Sequence, residues 1–208
     1  MDDHPNKRAE LTRERLRAAA HRLFLAHGYL ATTVDAILAE AGIASKETLY
    51  RHYANKEALF ADVLSHLTLE QPGFSAKVAA LPAPRDLPSL RTALTLLARE
   101  ILSMLGQPGY LPLVRMVIAE GPRFPQLGSL FFSTVTQRGL ALIMALLREA
   151  RERHLIADVD LEVVTYMLLG GLISSVLLNL VLSNEHAQPP APTRADAVIE
   201  IIMRALAP

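Results

Sequence analysis

Apolar residues recur every three to four positions through most of the chain. That spacing gathers them on one face of an α-helix, and no stretch alternates apolar and polar residues as a half-buried strand would. The expected fold is therefore all-α. A first helix is predicted from about Thr12 to His27, with Leu16, Ala20, Leu23 and Phe24 as its inward stripe. Gly28 is placed to end it, and Tyr29 to fold back onto the stripe. Thr33 caps a second helix that stops at Gly42, Ser45 caps a third carrying Leu49 and Tyr53 inward, and Asn55 caps a fourth.

Four prolines between Gln71 and Pro88 interrupt the pattern, which divides the chain into residues 1–66 and a larger helical region, 67–208. Further helices are predicted over "LPSLRTALTLLAREILSML" and "YLPLVRMVIAE", then a single long one from Pro125 to His154. An uncharged one follows Asp160. A last one runs from Thr193 to Leu206, with Val198, Ile201, Ile202 and Ala205 on its inner side. The uncharged run from Val163 to Asn184 is about long enough to cross a bilayer. It lacks flanking Trp and has few basic residues at its ends, so burial in a core or a subunit interface is the preferred reading.

The second and third helices are too short to be stable alone and are joined by a tight glycine turn, the pattern of a helix-turn-helix. The third, within "GIASKETLYRHYANKEALF", mixes hydroxyls, an aromatic ring and cations on few apolar anchors. A helix that enters the DNA major groove needs that chemistry. Formal net charge is zero, so attraction to phosphates must come from local charge. The chain has no cysteine, which excludes disulfides and thiolate sites and fits a reducing cytoplasm. The N-terminus has no apolar signal region.

The stretches "AAAHRLFLAHGYLATTVDAILAEAG" and "SKETLYRHYANKEALF" resemble the DNA-binding domain of the TetR family of transcriptional regulators over residues 12–64. "VIAEGPRFPQLGSLFF" resembles the C-terminal domain of its AefR-like branch. The resemblance implies a three-helix DNA-binding domain joined to a larger helical domain that binds an effector and forms a homodimer. It implies phosphate contacts from Thr33, Tyr50, His52 and Lys56, and base reading beginning at Ser45, Lys46, Glu47 and Thr48, with Arg51 on the same helix. Lys46 could donate to guanine and Glu47 could accept from cytosine. The turn "GIASKETLY" is one residue longer than the family's usual spacing, the extra residue falling at Ala44. Leu38 stands where a smaller residue is common, and the two are expected to compensate.

Lys7, Arg8, Arg13, Arg15 and Arg17 read either as a phosphate-contacting arm and helix edge or as a solvated face. Gly170, Gly171, Ser174 and Ser175 would allow close approach of a partner helix or of one from the same subunit. Met104, Tyr110, Arg115, Met116, Phe131, Tyr166, Met167 and Asn179 are candidate effector-pocket residues, with Glu120 the expected partner of Arg115.

The seven histidines form no metal-ligand motif, and no nucleophile elbow or phosphate-cradling loop is present, so neither catalysis, metal nor cofactor is expected. The expected function is a cytoplasmic, dimeric, ligand-released repressor of a palindromic operator in double-stranded DNA. The alternatives are a DNA-binding protein without an effector and a membrane-associated regulator using residues 161–183.

Overall fold

The computed structural model describes residues 4–68, 73–182, 191 and 193–208, and among these no strand occurs. Eleven helices follow in order. The first four are α1 (His4–His27), α2 (Val34–Ala41), α3 (Lys46–His52) and α4 (Lys56–Leu67). Next come α5 (Phe74–Ala79), α6 (Leu87–Leu105), α7 (Tyr110–Glu120) and α8 (Pro125–Phe131). The last are α9 (Gln137–Glu152), α10 (Leu161–Leu182) and α11 (Thr193–Leu206). The chain groups into two compact units, one of residues 1–67 and 112–134, the other of 68–111 and 135–208. Residues 112–134, which the sequence division assigns to the second region, thus pack with the first.

In the first unit α1 packs against α2 and α4, and α4 also meets α8. Leu16, Ala20 and Phe24 of α1 are fully buried, with Ile37, Leu49, Leu59, Phe60 and Leu64. The rings of Phe24, Tyr29 and Phe60 lie 5.2–5.4 Å apart in pairs. Phe124, from the loop before α8, stacks on Tyr29 at 5.5 Å. Truncating either core phenylalanine to alanine would cost about 3–5 kcal/mol. α1 begins eight residues earlier than the apolar stripe suggests, at His4 rather than Thr12. The added turns are polar, and periodicity registers only the part that packs.

In the second unit α6 presents Leu90, Leu94, Leu97, Ile101 and Leu105 inward at helical spacing. An Asp86–Ser89 capping box begins it. α6 packs on α11 and α9, and α10 on α9 and α11. α10 buries Leu161, Val164, Leu168, Leu172 and Val176. Its other side carries Val163, Tyr166, Met167, Leu177 and Leu178, all 37% to 57% exposed.

One expectation is refined here and a second needs correction. The long helix predicted from Pro125 to His154 runs from Pro125 to Glu152 and contains a π-helical turn at Phe132–Thr136, where Thr134 and Val135 turn inward. A π turn adds one residue without ending the helix, and nothing in the local composition marks it. On α11 the buried residues are Ala195, Ile199, Ile202, Met203 and Leu206, while Ile201 is 63% exposed. The apolar arc of α11 is wider than one interface, so periodicity alone could not say which edge faces the chain's own core. By length and composition, the stretches 125–152 and 161–178 could each cross a membrane.

Candidate nucleic-acid interface

Thr33, expected to contact phosphate, begins the candidate surface. Its Oγ1 accepts from the Ala36 amide at 3.1 Å and caps α2, leaving its own hydroxyl proton available to an outside acceptor. α2 ends at Gly42, whose φ of 63° is left-handed. The Ile43 amide reaches back to the Leu38 carbonyl at 2.9 Å and the Gly42 amide to Ala39 at 3.1 Å, a Schellman closure. Arg15 of α1 donates to the Ala41 and Gly42 carbonyls at 2.6 and 3.1 Å. The turn that leads into α3 is thus held from α1, and Arg15, although exposed, is tied to that turn and is not a free arm.

Ser45 caps α3 by accepting from the Glu47 amide at 3.1 Å. α3 is only seven residues long, and Leu49, fully buried, anchors it. Ser45, Lys46, Glu47, Tyr50 and Arg51 are exposed on one continuous surface, with Thr48 and His52 half-buried beside them. The Lys46 ammonium reaches Asp35 of α2 at 2.8 Å, and this hydrogen bond holds its pKa above the ordinary lysine value. Both partners are solvated, so an incoming phosphate or base edge can displace this contact at little cost.

The end of α3 is tied down by a cluster that spacing did not suggest. Asp62 of α4, 9% exposed, accepts from the Tyr53 hydroxyl at 2.6 Å, from Arg13 at 2.8 Å and from Arg17 at 3.4 Å. The Arg13 guanidinium also lies 5.7 Å from the centre of the Tyr53 ring. Asp62 therefore joins α1, the cap of α3 and α4 through one buried carboxylate. Arg13 and Arg17, candidates for phosphate contact or solvation, have this internal partner. The available signal was an Asp inside the apolar run "LFADVLSHL", since a carboxylate among core residues needs a cation.

Lys56 at the start of α4 was expected to meet phosphate. Its Nζ donates to the carbonyls of Tyr29 and Thr32, each at 2.9 Å, and sits 4.1 Å from the Tyr29 ring centre. Burial lowers its pKa, opposed by Glu57 and Glu120. The same loop is held on its amide side by Glu120, whose two oxygens accept from the Tyr29 and Leu30 amides at 3.1 and 2.9 Å. Glu120, expected to pair with Arg115, serves the α1–α2 loop.

The effector candidates divide between the units. Arg115, Met116 and Phe131 belong to the first, and Met104, Tyr110, Tyr166 and Met167 to the second. Met116 and Tyr110 are buried, and burial raises the Tyr110 phenol pKa. Tyr166 and Met167 are 52% and 55% exposed, beside a shallow depression shared with Asp160, Glu162 and Val163. The side chain of Asn179 lies outside the described residues. A cleft of about 250 Å³ lined by Lys77, Val78, Leu81, Leu96, Leu97 and Glu100 includes none of these candidates.

Comparison with known proteins agrees with this architecture. Residues 16–63 match the profile of bacterial regulatory proteins of the tetR family. Residues 92–207 match that of the AefR-like transcriptional repressor C-terminal domain. An uncharacterised HTH-type transcriptional regulator of Mycobacterium tuberculosis is 28% identical over 188 residues, covering 90% of this chain and 84% of the relative. A TetR-family regulator from Mesorhizobium loti superposes with a TM-score of 0.68 at 25% identity, over 97% of this chain and 99% of that one. The flavonoid-responsive regulator FrrA gives 0.68 at 26% identity, over 95% and 97%. A TetR regulator from Agrobacterium tumefaciens gives 0.70 at 21%, over 93% and 94%, and shares the fold. The chain belongs to the TetR family, whose members regulate transcription by binding DNA and are not enzymes.

Proposed function

We propose that this regulator is a cytoplasmic homodimer that represses transcription from a palindromic operator and is released by a small organic effector. One observation carries the DNA-reading half of this proposal: Lys46, Glu47, Tyr50 and Arg51 stand exposed on a short helix whose leading turn is fastened to α1 and whose C-terminal cap is fastened to α4. Rigid support of exposed, hydrogen-bonding side chains is what base reading requires. Ser45 and Thr48 begin the same surface, with Thr33, Tyr50 and His52 toward the phosphates. Lys56 contributes first by holding the loop before Thr33.

A second copy of the chain is supported by the exposed apolar side of α10. Val163, Tyr166, Met167, Leu177 and Leu178 continue it over four turns, with Gly170 and Ser174 between them. A soluble monomer rarely leaves such a stripe open. Two copies would also supply two reading helices for half-sites about 34–36 Å apart. Tyr166 and Met167 are therefore assigned to the subunit interface rather than to an effector pocket. For the effector class, the flavonoid response of the FrrA relative makes flat phenolic compounds the first probes.

Fluorescence anisotropy with DNA from upstream of the gene, against scrambled DNA and across a salt series, tests the reading. The expected result is tight binding to the upstream DNA alone, steeply weakened by salt. Lys46→Ala should cost about 1–3 kcal/mol and relax preference at one base pair. Equal weak binding to both duplexes refutes the assignment of this DNA as the target.

A further inference from the structure

The motif "VIAEGPRF" ends in the first unit, although the profile that contains it is that of the C-terminal domain. We infer that Glu120 and Phe124 are positioning residues for DNA reading: they hold the α1–α2 loop, and through it Thr33 and the start of α2. This inference rests on the DNA-binding role of α2 and α3 proposed above.

The loop from Gly28 to Thr32 is fastened on both sides of its backbone. Its Tyr29 and Leu30 amides donate to the Glu120 carboxylate, and its Tyr29 and Thr32 carbonyls accept from Lys56. The Thr32 hydroxyl closes the loop onto the Gly28 carbonyl at 2.7 Å. Phe124, four residues beyond Glu120, stacks on the Tyr29 ring. Gly28 has a φ of 81°, and a Cβ there would fall 2.1 Å from the Glu120 oxygen. The carboxylate therefore occupies space that only glycine leaves. The residue that follows this loop, Thr33, caps α2 and faces solvent.

Electrostatics and positioning predict opposite effects here. Glu120 is a negative charge in a unit that must approach phosphates, so charge alone says that removing it tightens DNA binding. Positioning says that removing it weakens binding. Glutamine separates the two again, because Glu120→Gln removes the same charge as Glu120→Ala yet keeps one oxygen to accept from one of the two amides.

The test uses the full chain and a duplex that the wild-type protein selects from random-sequence DNA. Glu120→Ala should bind that duplex about tenfold more weakly, within the range of one residue's coupling. Glu120→Gln should lie between it and wild type, and Phe124→Leu should follow Glu120→Ala in direction. In all three the thermal midpoint of the first unit's core is monitored to show that the fold persists. Amide exchange by NMR supplies a reading independent of DNA: Tyr29 and Leu30 should exchange faster in Glu120→Ala, with Leu49 and Leu59 unchanged. Equal affinities for the alanine and glutamine variants, or tighter binding by both, overturn the inference. So does unchanged exchange at Tyr29 and Leu30. If the wild type selects no sequence, it is the DNA-binding role that fails, and the exchange measurement still judges the clamp.

Discussion

Asp62, Lys56 and Glu120 each answer several donors or acceptors at once, and each joins segments far apart in the sequence. A buried or half-buried charge is tolerated only when so satisfied, and breaking one partner strands the others. The partners of these residues are not legible in a linear reading, because periodicity reports which face a residue lies on and not what it meets. The caps at Thr33, Ser45 and Asn55 were legible because their partners lie within three residues. His21 makes a separate prediction at this scale. Burial, with the charges of Arg22 and His66, lowers its pKa. The unfolded chain therefore binds the proton more readily, and the fold loses stability as pH falls through the ordinary histidine range near about 6.5. Glu14, Arg17 and His66 line the same groove. The unfolding midpoint of wild type should drop more between about pH 7.5 and 5.5 than that of His21→Gln. Parallel profiles would show that His21 titrates alike in both states.

At the scale of elements, the boundaries of α2, α3 and α4 follow the sequence closely, since each begins at a side-chain cap and α2 ends at a left-handed glycine. The irregular turn inside the long helix of the C-terminal half is less legible. The π turn at 132–136 carries no proline or glycine to mark it. The turn between α2 and α3 holds Ala44, the residue expected to exceed the family's usual spacing, between the Schellman closure and the Ser45 cap. Ile43 completes the closure on Leu38, which is 5% exposed, so Ala44 alone spans from that closure to the Ser45 cap. Deleting Ala44 would force the chain to abandon either the closure or the cap. The expected cost is about 1–2 kcal/mol, comparable to losing one cap, read as a fall of several degrees in the thermal midpoint. An unchanged midpoint would mean that α3 re-seats freely and that the longer turn is incidental.

At the scale of the molecule, the exposed stripe of α10 is the surface on which the proposed dimer rests. The sequence showed the run from Val163 to Asn184 as uncharged on all sides but could not say which side the chain itself would cover. Gly171 illustrates the limit: it meets Val198 of α11 within the same chain, whereas a Cβ at Gly170 would meet nothing. The two neighbouring glycines thus differ, one set against α11 and one facing open space where the proposed partner would pack. Met167→Glu places a charge in the middle of that open side without touching the buried one. It should convert a species of about twice 22.8 kDa into one of 22.8 kDa by light scattering, with helix content retained. Loss of operator affinity should accompany it, because a lone reading helix contacts only half a site. A variant that stays dimeric would move the interface away from α10.

The grouping of residues 112–134 with the DNA-reading unit bears on building hybrid regulators. A designer who wants this operator preference under the control of another sensor would cut near residue 67 and transplant the N-terminal piece. That cut leaves Glu120 and Phe124 behind, and the transplanted head arrives with the Tyr29 and Leu30 amides bare and the Tyr29 ring uncovered on one face. The exchangeable module is discontinuous, so a working hybrid must either carry the α7–α8 corner along with the head or accept a host sensor that offers a carboxylate and a ring at the same place.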